Sequence, residues 1–174
     1  NPNQSSTTID DMKIAILGIR GIPANYGGFE TLAEELSTRL VDRGHEVTVY
    51  GRSNNVRRPS RTYRGVQLVV LPTISTKHLD TVTHTLLSVF HALGRGYDVI
   101  LMCNAANAIF SIVPRIARIP IALNVDGIDR LRKKWGTTAQ VVYKISEYMA
   151  TIIPSVVITD AKVIKEYYRS KHGT

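Results

Sequence analysis

The chain has 174 residues, enough for one domain with a sizeable core, and its 44% apolar and 21% charged residues are ordinary for a water-soluble globular protein. The longest apolar stretch, Ile109–Ala122, is broken by Pro114, Arg115, Arg118 and Pro120, so nothing approaches the roughly 18 residues of a membrane span, and the lone Cys103 excludes an internal disulfide framework. A formal net charge of +8 favours anionic partners, whether nucleic acid, a phosphorylated ligand or an acidic membrane face.

Residues 1–11, in which Ile9 is the one sizeable apolar side chain, read as a disordered leader or cloning remnant, with no signal-peptide pattern, ahead of a domain spanning 12–174. A nearly continuous apolar run, Lys13–Ile19, predicts a buried parallel strand. Leu32, Leu36 and Leu40 recur every four residues and predict a helix over Glu30–Arg43, stopped by Gly44. A second strand is expected at Glu46–Tyr50, followed by a loop carrying Arg52, Arg57, Arg58, Arg61 and Arg64. A third strand, Val66–Leu71, ends at Pro72. The next helix is expected over Lys77–Leu93, with Leu79, Val82, Leu86, Val89, Phe90 and Leu93 as its inward side. Strands at Asp98–Cys103, Ile121–Val125 and Ser155–Thr159 alternate with helices at Ala106–Ala117, Thr138–Ile152 and Ala161–Ser170. Six strands with interleaved helices predict an α/β, doubly wound, Rossmann-like domain with a parallel sheet in the order 3-2-1-4-5-6 and helices on both faces.

Ligands of such sheets collect beyond the carboxyl ends of the strands. The loop after the first strand, GIRGIPANYGGFET, borders that crevice. Its glycines fit neither the G-x-G-x-x-G nor the P-loop spacing. Gly27 and Gly28 lack a Cβ and stand just before a helix, where free backbone N–H groups favour anions. The competing reading is a purely structural turn.

The stretch KIAILGIRGIPANYGGFETLAEELSTRLVDRGHEVTVYGR resembles the opening of bacterial GT-B glycosyltransferases of the large retaining family, and within it the rhamnosyltransferase-like enzymes of surface-polysaccharide assembly. The similarity continues through YDVILMCNAANA and NVDGIDRLRKKW, and GGFET and VDGIDRLRKKW are its most specific parts. It implies the acceptor-binding half of a two-domain enzyme, with a separate C-terminal donor domain absent from this sequence. That enzyme would move a sugar, rhamnose among the candidates, from a nucleotide-sugar to a saccharide or lipid-linked saccharide, with no metal and no bound cofactor. It would lie in the cytoplasm, peripherally at the inner face of the membrane.

The resemblance also supplies candidate site residues. Gly27 and Gly28 match the loop that comes near the donor phosphates, and Asp126 occupies a position where the broader family often carries a His beside the reacting sugar. Its other reading is a turn-forming Asx before Gly127. Tyr26, Phe29, Glu30, Asn104 and Asn107 are candidates to face the acceptor, with helix capping as the alternative for Asn107. Arg130, Arg132 and Lys133, followed by Trp135, suit a sugar-phosphate or lipid-diphosphate, or else form a solvated turn. The arginine loop reads as a solvated face or as a contact to anionic lipid. His78, His84 and His91 lack metal-ligand spacing. Two other classes remain open: a basic anion- or nucleic-acid-binding module, for which no motif speaks, and an NADP-dependent oxidoreductase, in which Arg52 would meet a 2′-phosphate.

Overall fold

The computed structural model describes residues 11–25, 27–56, 60–74, 76, 79–125, 137–159 and 161–172. Strands β1 (Lys13–Leu17), β2 (Glu46–Arg52), β3 (Thr62–Tyr63), β4 (Val66–Leu71), β5 (Val99–Cys103), β6 (Ile121–Val125) and β7 (Val156–Thr159) form one sheet in the order β3-β4-β2-β1-β5-β6-β7. All pairings are parallel except β3 with β4. The six parallel strands take the expected doubly wound order. The seventh, β3, lies inside the expected arginine loop, where Thr62–Gly65 turns back onto β4 and ends the sheet in a short antiparallel edge.

Residues of alternate parity build two cores. Ile14, Ile16, Val47, Val49, Leu101 and Cys103 face helix α1 (Gly28–Val41), which buries Ala33 and packs Leu36 and Leu40 against them. Leu17, Tyr50, Ile100, Met102, Leu123 and Val125 face the opposite way. That side is covered by α2 (Leu79–Ala92), a 3-10 helix (Ala105–Ser111) running into α3 (Ile112–Ile116), and α4 (Thr137–Ile152). Helix α5 (Lys162–His172) adds Ile164 and Tyr168 to the same core.

Three expectations need correction. The single helix over Ala106–Ala117 is a 3-10 helix followed by a short α-helix; Pro114 lies in the first turn of α3, where its missing N–H removes no helical bond. Arg52 belongs to β2 and is 5% exposed, so it is not part of a solvated arginine face. Helix α2 buries Val89 as expected, but its inward side otherwise holds His84, Thr85, Ser88 and Ala92, and Leu79, Val82, Leu86 and Phe90 are exposed. No helix among the described residues is long and apolar enough to cross a membrane.

Candidate functional site

The parallel strands deliver Gly18, Arg52, Pro72, Asn104 and Val125 to one edge of the sheet. The loop from Gly18 to α1 runs along that edge and is fastened at several points. Ile19 and Ile22 are each 1% exposed and sit in the α1-side core. The first turns of α1 reach back to the loop: Glu30 Oε1 accepts from the Arg20 N–H at 3.1 Å, and Glu34 Oε2 from the Ala24 N–H at 2.6 Å. Glu34 Oε1 also accepts from the Tyr63 hydroxyl at 2.7 Å, which ties β3 to the same carboxylate. The Ala24 N–H and then the Tyr63 hydroxyl hold the Glu34 pKa below its ordinary value.

The glycines of the loop divide into two kinds. A Cβ on Gly18 would lie 2.5 Å from the Cys103 carbonyl oxygen and 2.7 Å from Asn107 Nδ2, and one on Gly21 would lie 3.2 Å from the Gly51 Cα. Both are close-packing positions within the fold. Gly27 has φ +91° and caps α1 without a side chain, and a Cβ there would meet Glu30 Oε2 at 2.9 Å. Gly28 differs: it is exposed, and none of the described residues stands within 4 Å of where its Cβ would be. The one loop glycine beside open space therefore lies on the first turn of α1, where backbone N–H groups have no intrahelical acceptor.

The other candidates are drawn into the fold to different degrees. Phe29 packs against the α1-side core, and Glu30 is 8% exposed, its carboxylate engaged by the loop. Asn104 has φ +77° and a side chain that accepts from the Ala106 N–H at 2.9 Å, so it caps the 3-10 helix, the role expected of Asn107 as the alternative. Asn107 is instead a buried pin. It donates to the Cys103 carbonyl at 2.8 Å and accepts from Thr85 Oγ1 at 3.1 Å, so its amide faces no acceptor. Tyr26, Asp126, Arg130, Arg132, Lys133 and Trp135 lie outside the described residues, as do Arg57 and Arg58.

A polar cluster that no spacing rule exposes stands at the same edge. Arg52 Nη1 meets Asp80 Oδ2 at 2.6 Å, and Arg52 Nη2 donates to Thr81 Oγ1 at 3.2 Å. Asp80 also accepts from Thr73 Oγ1 at 2.7 Å. Burial works to raise the Asp80 pKa, but the Thr73 hydrogen bond and the Arg52 charge outweigh it and hold the carboxyl below its ordinary range. The guanidinium that the oxidoreductase reading assigns to a 2′-phosphate is thus already neutralised by a carboxylate. One helical turn further, His84 is fully buried and donates from Nε2 to the Gly51 carbonyl at 3.0 Å. Burial, the main cause, pushes its pKa down to about 4, so it is neutral at pH 7. The sequence signal for this cluster was weak: Asp80 and His84 are four apart on a helix, but their partners come from strands 28 and 33 residues away.

Among the described residues no group of three His, Cys, Asp or Glu side chains stands close enough to hold a metal ion. What the edge offers is a braced loop, a helix start without a side-chain cap and with open space at Gly28, and an Asn104 turn of positive φ. No curated protein matches the chain. Residues 11–174 match the family described as Domain of unknown function (DUF1972), and the chain belongs to that family.

Proposed function

We propose that this domain is the acceptor-side half of a retaining GT-B glycosyltransferase that transfers a hexosyl group, with rhamnose among the candidates, from a nucleotide-sugar to a saccharide or lipid-linked saccharide. The observation that carries the reading is Gly28: an exposed helix-start glycine with none of the described residues within 4 Å of its Cβ position, on a loop held rigid by Glu30 and Glu34 at the carboxyl edge of a parallel sheet. A sugar phosphate can approach the main chain there and take hydrogen bonds from N–H groups that the helix leaves free. The resemblance carried by GGFET and VDGIDRLRKKW supports the same assignment. In this reading Asp126, which follows β6 directly in sequence, orients the acceptor hydroxyl or faces the positive charge developing on the donor sugar. The enzyme works peripherally at the inner face of the membrane, where lipid-linked acceptors are presented.

The test is Gly28→Val in the full-length enzyme, assayed with a lipid-linked acceptor and a panel of nucleotide-sugars. The expected result is loss of turnover with an unchanged Tm, because the added side chain enters space that no described residue fills and that the proposed sugar phosphate needs. Near-normal turnover would overturn the reading. Asp126→Asn should lower kcat about 100- to 1,000-fold with little change in donor KM. An active Asp126→Asn enzyme would return Asp126 to a turn-forming role, since Asn makes the same Asx turn.

A further inference from the structure

The loop between β1 and α1 is held differently along its two halves. Its first half is fixed by packing and main-chain contacts. Ile19 and Ile22 are buried in the α1-side core, the Arg20 carbonyl accepts from the Arg52 N–H at 2.9 Å, and Gly21 lies against Gly51. The second half has little of this. Pro23 and Asn25 are exposed. Among the described residues, the hydrogen bond that ties Pro23–Asn25 to the rest of the fold is the one from the Ala24 N–H to Glu34 Oε2, at 2.6 Å. Gly27 and Gly28 stand at the end of this half.

Glu34 is half-buried on a helix surface, where a glutamate has several rotamers open to it, so its own helix does not fix the carboxylate. What fixes it comes from the far edge of the sheet. The Tyr63 hydroxyl donates to Glu34 Oε1 at 2.7 Å, so each carboxylate oxygen has a partner. The Tyr63 ring is itself anchored. It packs against the α1-side core, and Tyr63 pairs with Val66 across a turn in which Arg64 and Gly65 have φ +47° and +81°. Positive φ at both central residues is the tight hairpin turn whose twist matches that of its strands. The hairpin tip rests on α1 as well, since a Cβ on Gly65 would lie 2.8 Å from Val41 Cγ1. Val41 lies about two turns beyond Glu34 on α1, so the hairpin runs along the helix and holds the hydroxyl in place.

We propose that Tyr63 is the positioning residue of this loop: through Glu34 it holds Ala24, so the antiparallel edge of the sheet sets the conformation of the segment leading to Gly27 and Gly28. An ionised carboxylate is acceptor-only and can serve both partners at once. The two hydrogen bonds keep Glu34 in that form below the ordinary glutamate range. By reciprocity, a ligand that orders the segment before Gly28 tightens the Tyr63 contact, and loss of the contact weakens the ligand. That this ligand is a sugar phosphate rests on the proposed function. The relay does not, because it is read in the free protein.

The experiment is hydrogen exchange at the Ala24 amide, followed by NMR in the full-length protein isotope-labelled at alanine. The amide of Ala33, buried in α1, is the internal control. Tyr63→Phe removes the hydroxyl and keeps the ring. It should speed Ala24 exchange about tenfold or more and leave Ala33 unchanged. Glu34→Ala should do at least as much. The double variant Tyr63→Phe/Glu34→Ala should be no faster than Glu34→Ala alone, because the hydroxyl acts only through the carboxylate. Glu34→Gln, whose amide can accept from Ala24 and donate to Tyr63, should keep Ala24 slower than Glu34→Ala does. Unchanged Ala24 exchange in Tyr63→Phe would overturn the proposal. So would an additive double variant, or exchange in Glu34→Gln as fast as in Glu34→Ala. Faster exchange at Ala33 in Tyr63→Phe would overturn it too, since the hydroxyl would then hold the fold and not the loop. A parent protein inactive with every nucleotide-sugar would remove the glycosyl-transfer reading and leave the exchange result standing.

Discussion

Helices α1 and α2 have the same length, 14 residues, and lie on opposite faces of one sheet, yet they are held by opposite means. Helix α1 turns apolar residues inward, Ala33, Leu36 and Leu40, and uses two glutamates at its start to fasten the loop that precedes it. Helix α2 turns polar residues inward alongside Val89 and Ala92. Asp80 holds Arg52, His84 holds the Gly51 carbonyl and Thr85 holds Asn107, which in turn holds the Cys103 carbonyl. Each helix thereby braces the same strand edge, one from the loop side and the other from the strand ends. The difference teaches that a helix can dock through a buried hydrogen-bond network and leave its leucines exposed. Such a network is stable only when each of its members keeps its partner.

The largest test of this comparison is at Gly18, which lies against the far end of the α2 network. Gly18→Ala forces a Cβ to 2.5 Å from a backbone oxygen at φ +86°. It should cost about 3 kcal/mol or more of stability by chemical denaturation. Gly28→Ala, with none of the described residues within 4 Å, is the matched control and should stay within about 1 kcal/mol of the parent. Equal effects at the two sites would erase the distinction between packing and open glycines.

Next in size is Asp80→Ala. It leaves the Arg52 guanidinium buried without its carboxylate, a change that typically costs about 3 kcal/mol or more. Because Arg52 and Asp80 act as a pair, the double variant Arg52→Met/Asp80→Ala should recover part of the loss. A fully additive double-variant cycle would show that the contact does not hold α2 in place.

Buried His84 gives the network a pH signature. Its folded-state pKa, about 4, lies below the ordinary value of 6.5, so the unfolded chain binds the proton first on acidification. Its contribution is present in full above pH 6.5 and is lost as pH falls toward 4. The limiting slope is about 1.4 kcal/mol per pH unit. Stability measured across that window should flatten in His84→Gln. An unchanged slope would mean that His84 is not buried neutral. Glu34 follows the same sign at lower pH. Its lowered pKa means that its hold on Ala24 and Tyr63 weakens only once the carboxylate is protonated, below the ordinary glutamate range.

The smallest expected effect is the most direct comparison of the two helices. Leu86→Gln on the exposed side of α2 should change stability by about 0.5 kcal/mol or less, whereas Leu36→Gln on α1 should cost about 2 kcal/mol. If Leu86→Gln proved as costly as Leu36→Gln, the exposed stripe would in fact be packed.

The sequence by itself determined the alternation of strands and helices, the parallel sheet and its order, because continuous apolar runs and right-handed crossovers are local or nearly local constraints. It also placed the loop after β1 at the carboxyl edge of the sheet, since that loop is fixed by chain order. The tertiary structure decided what periodicity could not. The apolar stripe of α2 predicts an inward side with equal force whichever way the helix turns, and only the partners waiting on β2 and the 3-10 helix, Arg52, the Gly51 carbonyl and Asn107, turned Asp80, His84 and Thr85 inward. Likewise the glycines of GIRGIPANYGG look alike in sequence. Which of them is packed and which faces open space depends on Cys103 and Asn107, which come close to Gly18 only when β5 pairs with β1. Contacts between residues more than 80 positions apart leave no periodic trace in either segment, so they are legible only once the sheet has formed.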